Sequence, residues 1–329
     1  MCTAITLYGK APIFGRTLDL PTTLGEHITL AESGYPLLVG KNERTATHPA
    51  ILGSAITVDG DPLWFDAMSE WGLGAAALNF PSSARYGIPE PGKRPIPSYA
   101  VIPYILSRCK TISEATELLA TITVTNDAIS ADFPPSPLHW IISDGKSSVI
   151  AEPLSGGLSV RETACGILAN EPPLSYHLAR LAELSAVHPG YPENRFYPDV
   201  EKWHYSGGFG AVGLPGDFSS SARYLRAAYA SFYSRADDVE DGEIIRFFRV
   251  AECVSVPYGC VLNEDGAPTR TVYTSCMELD KLVYYIKPYA ALHTYAVELR
   301  DTKERGLRQF RLPKKEPPTV LAAKEYCIK

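Results

Sequence analysis

The chain has 329 residues, 45% of them hydrophobic and 21% charged, enough apolar surface to bury a substantial core in a single domain. A formal net charge of −6 leaves no basic stripe for a phosphate backbone, so nucleic-acid binding is not expected, and the Lys314-Lys315 cluster reads as a solvated C-terminal segment. No apolar run approaches the roughly 20 residues that span a bilayer, and no basic region precedes an apolar stretch at the N-terminus, so a cytoplasmic protein without membrane contact is expected.

Residues 2–8 (CTAITLY) have strand propensity, Gly9-Lys10 turns the chain, and residues 12–16 begin a return strand. Strand-like runs follow at 51–58 and 73–78, then a pair of helices at 97–109 and 112–122. The runs 139–143 and 148–152 flank an Asp144-Gly145 turn, a strong hairpin signal. Helices are predicted at 221–233, capped by the Ser219-Ser220-Ser221 cluster, and at 241–250. Residues 271–275, 282–286 and 294–299 read as a closing meander. Strands and helices are clustered and not alternating, which argues for antiparallel sheets with helices packed outside them, an α+β arrangement. The loop-rich stretches 81–97 and 186–216 are long enough to be lids, binding loops or oligomer contacts. Neither reads as an interdomain linker, so residues 1–329 are read as one domain.

Several patterns imitate function. Gly208-x-Gly210-x-x-Gly213 matches the dinucleotide fingerprint, but Leu214-Pro215-Gly216-Asp217 forbids the immediate helix that would face a pyrophosphate. A glycine-rich loop and no nucleotide cofactor are expected. His27, His48, His139, His177, His188, His204 and His293 show no metal-ligand spacing. The seven cysteines (Cys2, Cys109, Cys165, Cys253, Cys260, Cys276 and Cys327) are odd in number and include no C-x-x-C, so neither a disulfide framework nor a zinc site is expected. Asp237-Asp238 and Asp265 read as solvated charge. There is no G-x-S-x-G elbow, although scattered Cys–His or Ser–His–Asp partners stay open at this point.

Cys2 follows the initiator Met directly. Removal of Met1 is expected because the next residue is small, and it would leave a thiol and an α-amine on one carbon. A free α-amine titrates near 7.7–8.0 and a thiol near about 8.5, so the amine can act as base for its own thiol and later as acid for a leaving group. On its own, a cysteine at position 2 reads first as an ordinary small buried side chain.

Seven segments then occur in a telling order: residues 1–6 (MCTAIT), 14–19 (FGRTLD), 64–81 (WFDAMSEWGLGAAALNFP), 138–144 (LHWIISD), 166–173 (GILANEPP), 213–229 (GLPGDFSSSARYLRAAY) and 273–285 (YTSCMELDKLVYY). In sequence and spacing they resemble the choloylglycine hydrolase family, the bile salt hydrolases and penicillin V acylases of the N-terminal nucleophile hydrolase superfamily. The resemblance covers nearly the whole chain. It implies a four-layer αββα sandwich of two stacked antiparallel sheets, a homotetramer with residues 186–216 as candidate contact, a small amphipathic amide as substrate, and no cofactor or metal.

By the same resemblance Cys2 is the nucleophile and Arg16 the cation beside it, favouring thiolate over thiol. Asp19 orients the α-amine, Asn79 (backbone N–H) and Asn170 (side-chain amide) form the oxyanion hole, and Arg223 lies near the nucleophile. Two places depart from the family pattern. Leu18 stands within Arg16-Thr17-Leu18-Asp19, where Arg-Asn-x-Asp or Arg-Thr-Met-Asp is frequent, and Ala169-Asn170-Glu171-Pro172 replaces Thr-Asn-Ser-Pro or Thr-Asn-Asn-Pro, setting a carboxylate beside the expected oxyanion donor. Asn at position 79 is similar to the bile salt branch, since penicillin V acylases often carry Tyr there. Penicillin V, acyl-homoserine lactones and other N-acyl amides are the alternative substrates, and a binder of acyl amides without catalysis is the alternative class.

Overall fold

The opening hairpin forms as expected: strand Cys2–Leu7 pairs antiparallel with strand Ile13–Leu20, with Cys2 opposite Leu18 and Ala4 opposite Arg16. The protein is seen here as a computed structural model that describes residues 1–193, 199, 207–236, 239, 241–299 and 306–312. Strand Pro268–Glu278 lies on the far side of Ile13–Leu20, followed by Val283–Pro288 and Tyr295–Glu298, while Ile167–Leu168 pairs with the free side of Cys2–Leu7. The second sheet runs, in spatial order, Gly157–Glu162, Ser148–Leu154, Leu138–Ser143, Gly74–Asn79, Asp61–Ser69, Ile51–Val58, His27–Ala31 and Leu307–Phe310. The pairings in both sheets are antiparallel.

Helices α1 (Val101–Leu106) and α2 (Ile112–Ala120) cover the outer face of the second sheet, sharing a core with Trp64, Trp140 and Val149. Of the later helices, α3 (Leu174–Glu183) packs on α4 (Ser220–Tyr233), and α4 and α5 (Gly242–Glu252) pack on the outer face of the first sheet. The main core joins Ile5, Phe14, Leu78 and Ile141 from the two sheets to Leu225 and Phe247 from those helices. This is the four-layer αββα sandwich that the resemblance implied. Close approach of layers dictates one residue choice: a Cβ on Gly15 would stand 2.1 Å from the Ser275 carbonyl and 2.6 Å from the Phe247 ring.

Several elements differ from expectation. The helix predicted over 97–109 is a 3-10 turn, Ser98–Ala100, followed by the short α1, since Pro103 supplies no N–H and suits only a first turn. Helix α2 is capped by Thr111, whose side chain accepts the Glu114 N–H. Helix α3 was not expected: Leu174 and His177 are its buried residues, too thin an apolar stripe to read from sequence. Strand Asp61–Ser69 escaped notice because it is buried on both faces and so lacks alternation. Residues 314–315, 237–238, His204 and Cys327, noted above, lie outside the described residues.

Candidate active site

Strand Ile13–Leu20 is interior to its sheet and buried along nearly all its length, yet it carries Arg16, Thr17 and Asp19. Charges in that position need partners, because desolvating an ion costs several kcal/mol. Pairing supplies them. Asp19 stands opposite Thr271, whose hydroxyl donates to Asp19 Oδ1 at 2.6 Å, and Thr17 Oγ1 donates to Oδ2 at 3.4 Å. Arg16 donates from Nη1 to the carbonyls of Ala77 (2.5 Å) and Phe65 (3.1 Å) in the second sheet, and from Nε to the Thr17 carbonyl. Its side chain therefore crosses the gap between sheets.

Helix α4 brings the second cation. Arg223, wholly inaccessible to solvent, donates from Nη1 to the Cys2 carbonyl at 2.5 Å and to Thr3 Oγ1, and from Nη2 to Asn170 Oδ1 at 2.9 Å. Its Nη1 also lies 3.9 Å from Asp19 Oδ2. Asn170 follows the short edge strand Ile167–Leu168, which pairs with Cys2–Leu7, and this register sets its side chain beside Cys2. Asn170 Oδ1 accepts the Cys2 N–H at 2.6 Å, while Nδ2 donates to the Asn79 carbonyl at 2.7 Å. Cys2, Arg16, Asp19, Asn79, Asn170 and Arg223 thus form one contiguous group at the end of the two sheets. With Met1 in place, the single N–H of Cys2 goes to Asn170 and not to Asp19, while Met1 exchanges main-chain hydrogen bonds with Asp19.

Burial alone would lower the pKa of Arg16, but the acidic groups around it, Cys2 foremost and then Tyr273, Asp66 and Asp19, more than offset that and leave it raised. Burial lowers the pKa of Arg223, with Asp19 and Cys2 opposing. Asp66 lies behind Arg16 and accepts the hydroxyls of Tyr273 and Tyr284, each at 2.7 Å; burial pushes its carboxyl up, and Arg16 pulls the other way.

The oxyanion candidates are held by their neighbours. Asn79 ends strand Gly74–Asn79, paired with Leu138, and the following Phe80 donates its N–H to Pro137 and stacks on the His139 ring at 4.1 Å. The Asn170 carbonyl meets His177 Nε2 at 3.0 Å. Glu171 turns its carboxylate away from the thiol, toward Ser82 and Ser83.

Thr3, Thr17, Thr271, Asp66, Tyr273, Tyr284 and His177 all touch or support this group, and sequence reading passed over them. The two-residue strand period could have placed Thr17 on the face of Asp19, but nothing local marks Thr271, Asp66 or His177. The Gly208–Gly213 segment contains a 3-10 turn, Phe209–Ala211, packed on residues 188–190 through the Gly210 N–H to the Gly190 carbonyl, and helix begins only at Ser220.

Comparison with known proteins identifies the family and the fold. A family profile described as linear amide C–N hydrolases, choloylglycine hydrolase family, matches residues 2–304. The bile salt hydrolase/transferase of Lactiplantibacillus plantarum is 35% identical over 308 residues, covering 92% of this chain and 95% of that protein. The conjugated bile acid hydrolase of Lactobacillus acidophilus is 33% identical over 274 residues, 83% of this chain and 87% of its own. Among solved structures, a mutant conjugated bile acid hydrolase from Clostridium perfringens superposes with a TM-score of 0.90 at 27% identity, covering 98% of this chain and 100% of that one. A penicillin V acylase from Agrobacterium tumefaciens shares the fold, with a TM-score of 0.72 at 18% identity over 94% of this chain and 90% of its own.

Proposed function

The chain belongs to the choloylglycine hydrolase family, enzymes that hydrolyse linear amide C–N bonds, and from that premise we propose that it cleaves glycine- or taurine-conjugated bile salts with Cys2 as N-terminal nucleophile. What carries the reading is Asn170, one side chain that touches both the Cys2 nitrogen and the Asn79 carbonyl and so ties the nucleophile to both oxyanion donors. Bile acid hydrolases among the relatives, and Asn at position 79, favour the bile salt branch over penicillin V.

Removal of Met1 frees the Cys2 α-amine, which takes the thiol proton as Sγ attacks the amide carbon. Arg16 stabilises negative charge at the sulfur, and Asp19 and Asn170 fix the amine. The oxyanion is held by the Asn79 N–H and the remaining Asn170 Nδ2 hydrogen, donors of a kind whose single loss costs about 10²–10³ in rate. The C–N bond breaks as the ammonium returns its proton to the departing glycine or taurine nitrogen, leaving an acyl thioester. Water, deprotonated by the same amine, hydrolyses the thioester. The acyl group would lie along the apolar surface of Phe65, Tyr99, Phe133 and Leu138, which adjoins the Ala77 carbonyl that receives Arg16.

Within the same proposal, residues 1–329 act as one catalytic domain, the enzyme works in the cytoplasm, and it assembles as a homotetramer. Residues 186–216 would be a contact segment; of its described part, Tyr191 and Val212 are exposed apolar side chains suited to burial against another copy. No helix of the described residues is long and apolar enough to cross a membrane.

The test is to incubate protein whose Met1 removal is verified by intact mass with glycocholate, taurocholate and penicillin V in parallel, against Cys2→Ala. Cys2-dependent release of glycine or taurine exceeding penicillin V cleavage is expected. Cleavage of penicillin V alone would move the enzyme to the other branch, and unchanged hydrolysis by Cys2→Ala would remove the mechanism. Binding of conjugates without turnover would make the protein a non-catalytic binder.

A further inference from the structure

The turn that follows Asn79 points its amides at a single acid. The N–H groups of Ser82 and Ser83 donate to Glu171 Oε1 at 2.8 and 2.7 Å, and Ser83 Oγ donates to Oε2 at 2.6 Å. The turn closes on itself through the Ala84 N–H to the Phe80 carbonyl at 3.0 Å, so these amides converge as a small anion-binding nest. Glu171 immediately follows Asn170. Two adjacent residues on one loop therefore grip a second loop twice, Asn170 at the Asn79 carbonyl and Glu171 at Ser82 and Ser83.

From this we infer that Glu171 is a positioning residue of the oxyanion hole: it fastens the residue 79–83 segment to the residue 170–171 loop and thereby sets the distance between the Asn79 N–H and the Asn170 amide. The inference rests on the Cys2 amidase reading above. Hydrogen bonds to an ionised carboxylate are the stronger kind, and three on one group fix both position and direction. The two donors reach the developing oxyanion only if their loops keep register, and a displacement of about 1 Å in such a site can cost about 100-fold. The carboxylate that departs from the family pattern thus has no need to act on the substrate; its work is on the two loops that carry the donors.

The geometry also separates the parts of the clamp. Both main-chain amides bind Oε1, which Gln retains, and Ser83 Oγ can accept from a Gln Nε2 as readily as it donates to Oε2. Glu171→Ala is expected to lower kcat about 10- to 100-fold with KM changed less than about threefold, Glu171→Gln to recover most of that loss, and Ser83→Ala to stay within about threefold of the parent.

The experiment measures kcat and KM on glycocholate for these variants and for Cys2→Ala, together with the rate at which iodoacetamide alkylates Cys2, followed by peptide mass. Alkylation needs the thiol but forms no oxyanion, so it should keep its parent rate in Glu171→Ala. If Glu171→Ala keeps the parent kcat while Cys2→Ala is inactive, the inference falls and the amidase reading stands. A matching loss of kcat and of Cys2 alkylation in Glu171→Ala and Glu171→Gln alike would make Glu171 a general support of the fold, which also overturns it. If Cys2→Ala hydrolyses glycocholate at the parent rate, the underlying reading fails whatever the Glu171 variants do.

Discussion

Arg223 holds Cys2 by its main-chain carbonyl, at 2.5 Å from Nη1, and not by its thiol. A fully buried cation thus anchors the first strand at its end through the main chain. The same guanidinium reaches Asn170 Oδ1, so cation, cysteine and asparagine share one network whose members are not independent.

Asn170→Ala removes an acceptor from both the Cys2 N–H and Arg223 Nη2, and a donor from the proposed oxyanion hole. kcat on glycocholate should fall about 10²–10³-fold. A buried guanidinium hydrogen is also left unpaired, at a cost of about 1–3 kcal/mol, so the urea midpoint should drop as well. Loss of stability without loss of kcat would assign Asn170 to the scaffold alone.

Thr271→Val keeps the side-chain shape but removes the donor to Asp19 Oδ1 and the acceptor of the Val256 N–H. Asp19 keeps Thr17 and the nearby Arg223, so the fold should survive while the carboxylate loses its aim. The expected result is about tenfold lower kcat with KM nearly unchanged, and a lower melting temperature because the buried Val256 N–H loses its acceptor, at a cost of about 1–3 kcal/mol. An unaltered kcat would show that Asp19 does not need Thr271 in order to act.

Acid should destabilise the protein through its buried histidines. Burial lowers the pKa of His139 and of His177, with Glu152 opposing at the first and the Asn170 carbonyl at the second. Between the folded and unfolded pKa values the unfolded chain binds protons that the native one refuses, so stability is intact above about pH 6.5 and declines as pH falls below it. Asp66, raised by burial, works in the opposite sense at lower pH. His139 Nδ1 stands 3.6 Å from Glu152 Oε1, just beyond hydrogen-bond reach, and the ring stacks on Phe80, so His139→Phe should fit. The drop in urea midpoint from pH 7.5 to 5.5 should be smaller in His139→Phe than in the parent; an equal drop would exclude His139 as a cause.

Thiol labelling should sort the cysteines by environment. Burial pushes Cys109 up to about 12 and Cys276 well above its ordinary range, so neither should react with iodoacetamide in the native protein at pH 8. Cys253 and Cys260 are exposed, and Cys260 should label without unfolding. Peptide mapping after brief exposure reads this directly, and label on Cys276 before denaturation would contradict its burial.

The parts of the fold legible in the sequence were those whose signals are local. Asp144-Gly145 marked its hairpin, a strand-like apolar run marked strand Ile51–Val58, and the serines before Ala222 marked the start of α4. Cys2 drew attention by position, because a thiol and an α-amine on one carbon need no distant partner, but only the ordered segments around it singled it out. Arg16, Asp19, Asn79, Asn170 and Arg223 entered through resemblance, since a polar residue in a strand or loop carries no sign of whether it will be buried. Tertiary structure decided that. Antiparallel register set Thr271 against Asp19, the gap between the two sheets brought Arg16 to Ala77, and two loops about 90 positions apart met through Glu171 and Ser82–Ser83. Sequence by itself determined the class of chemistry and the layered architecture; the partners of each buried charge were decided only when distant strands and loops closed on one another, because desolvation forces a choice of partner that no local pattern contains.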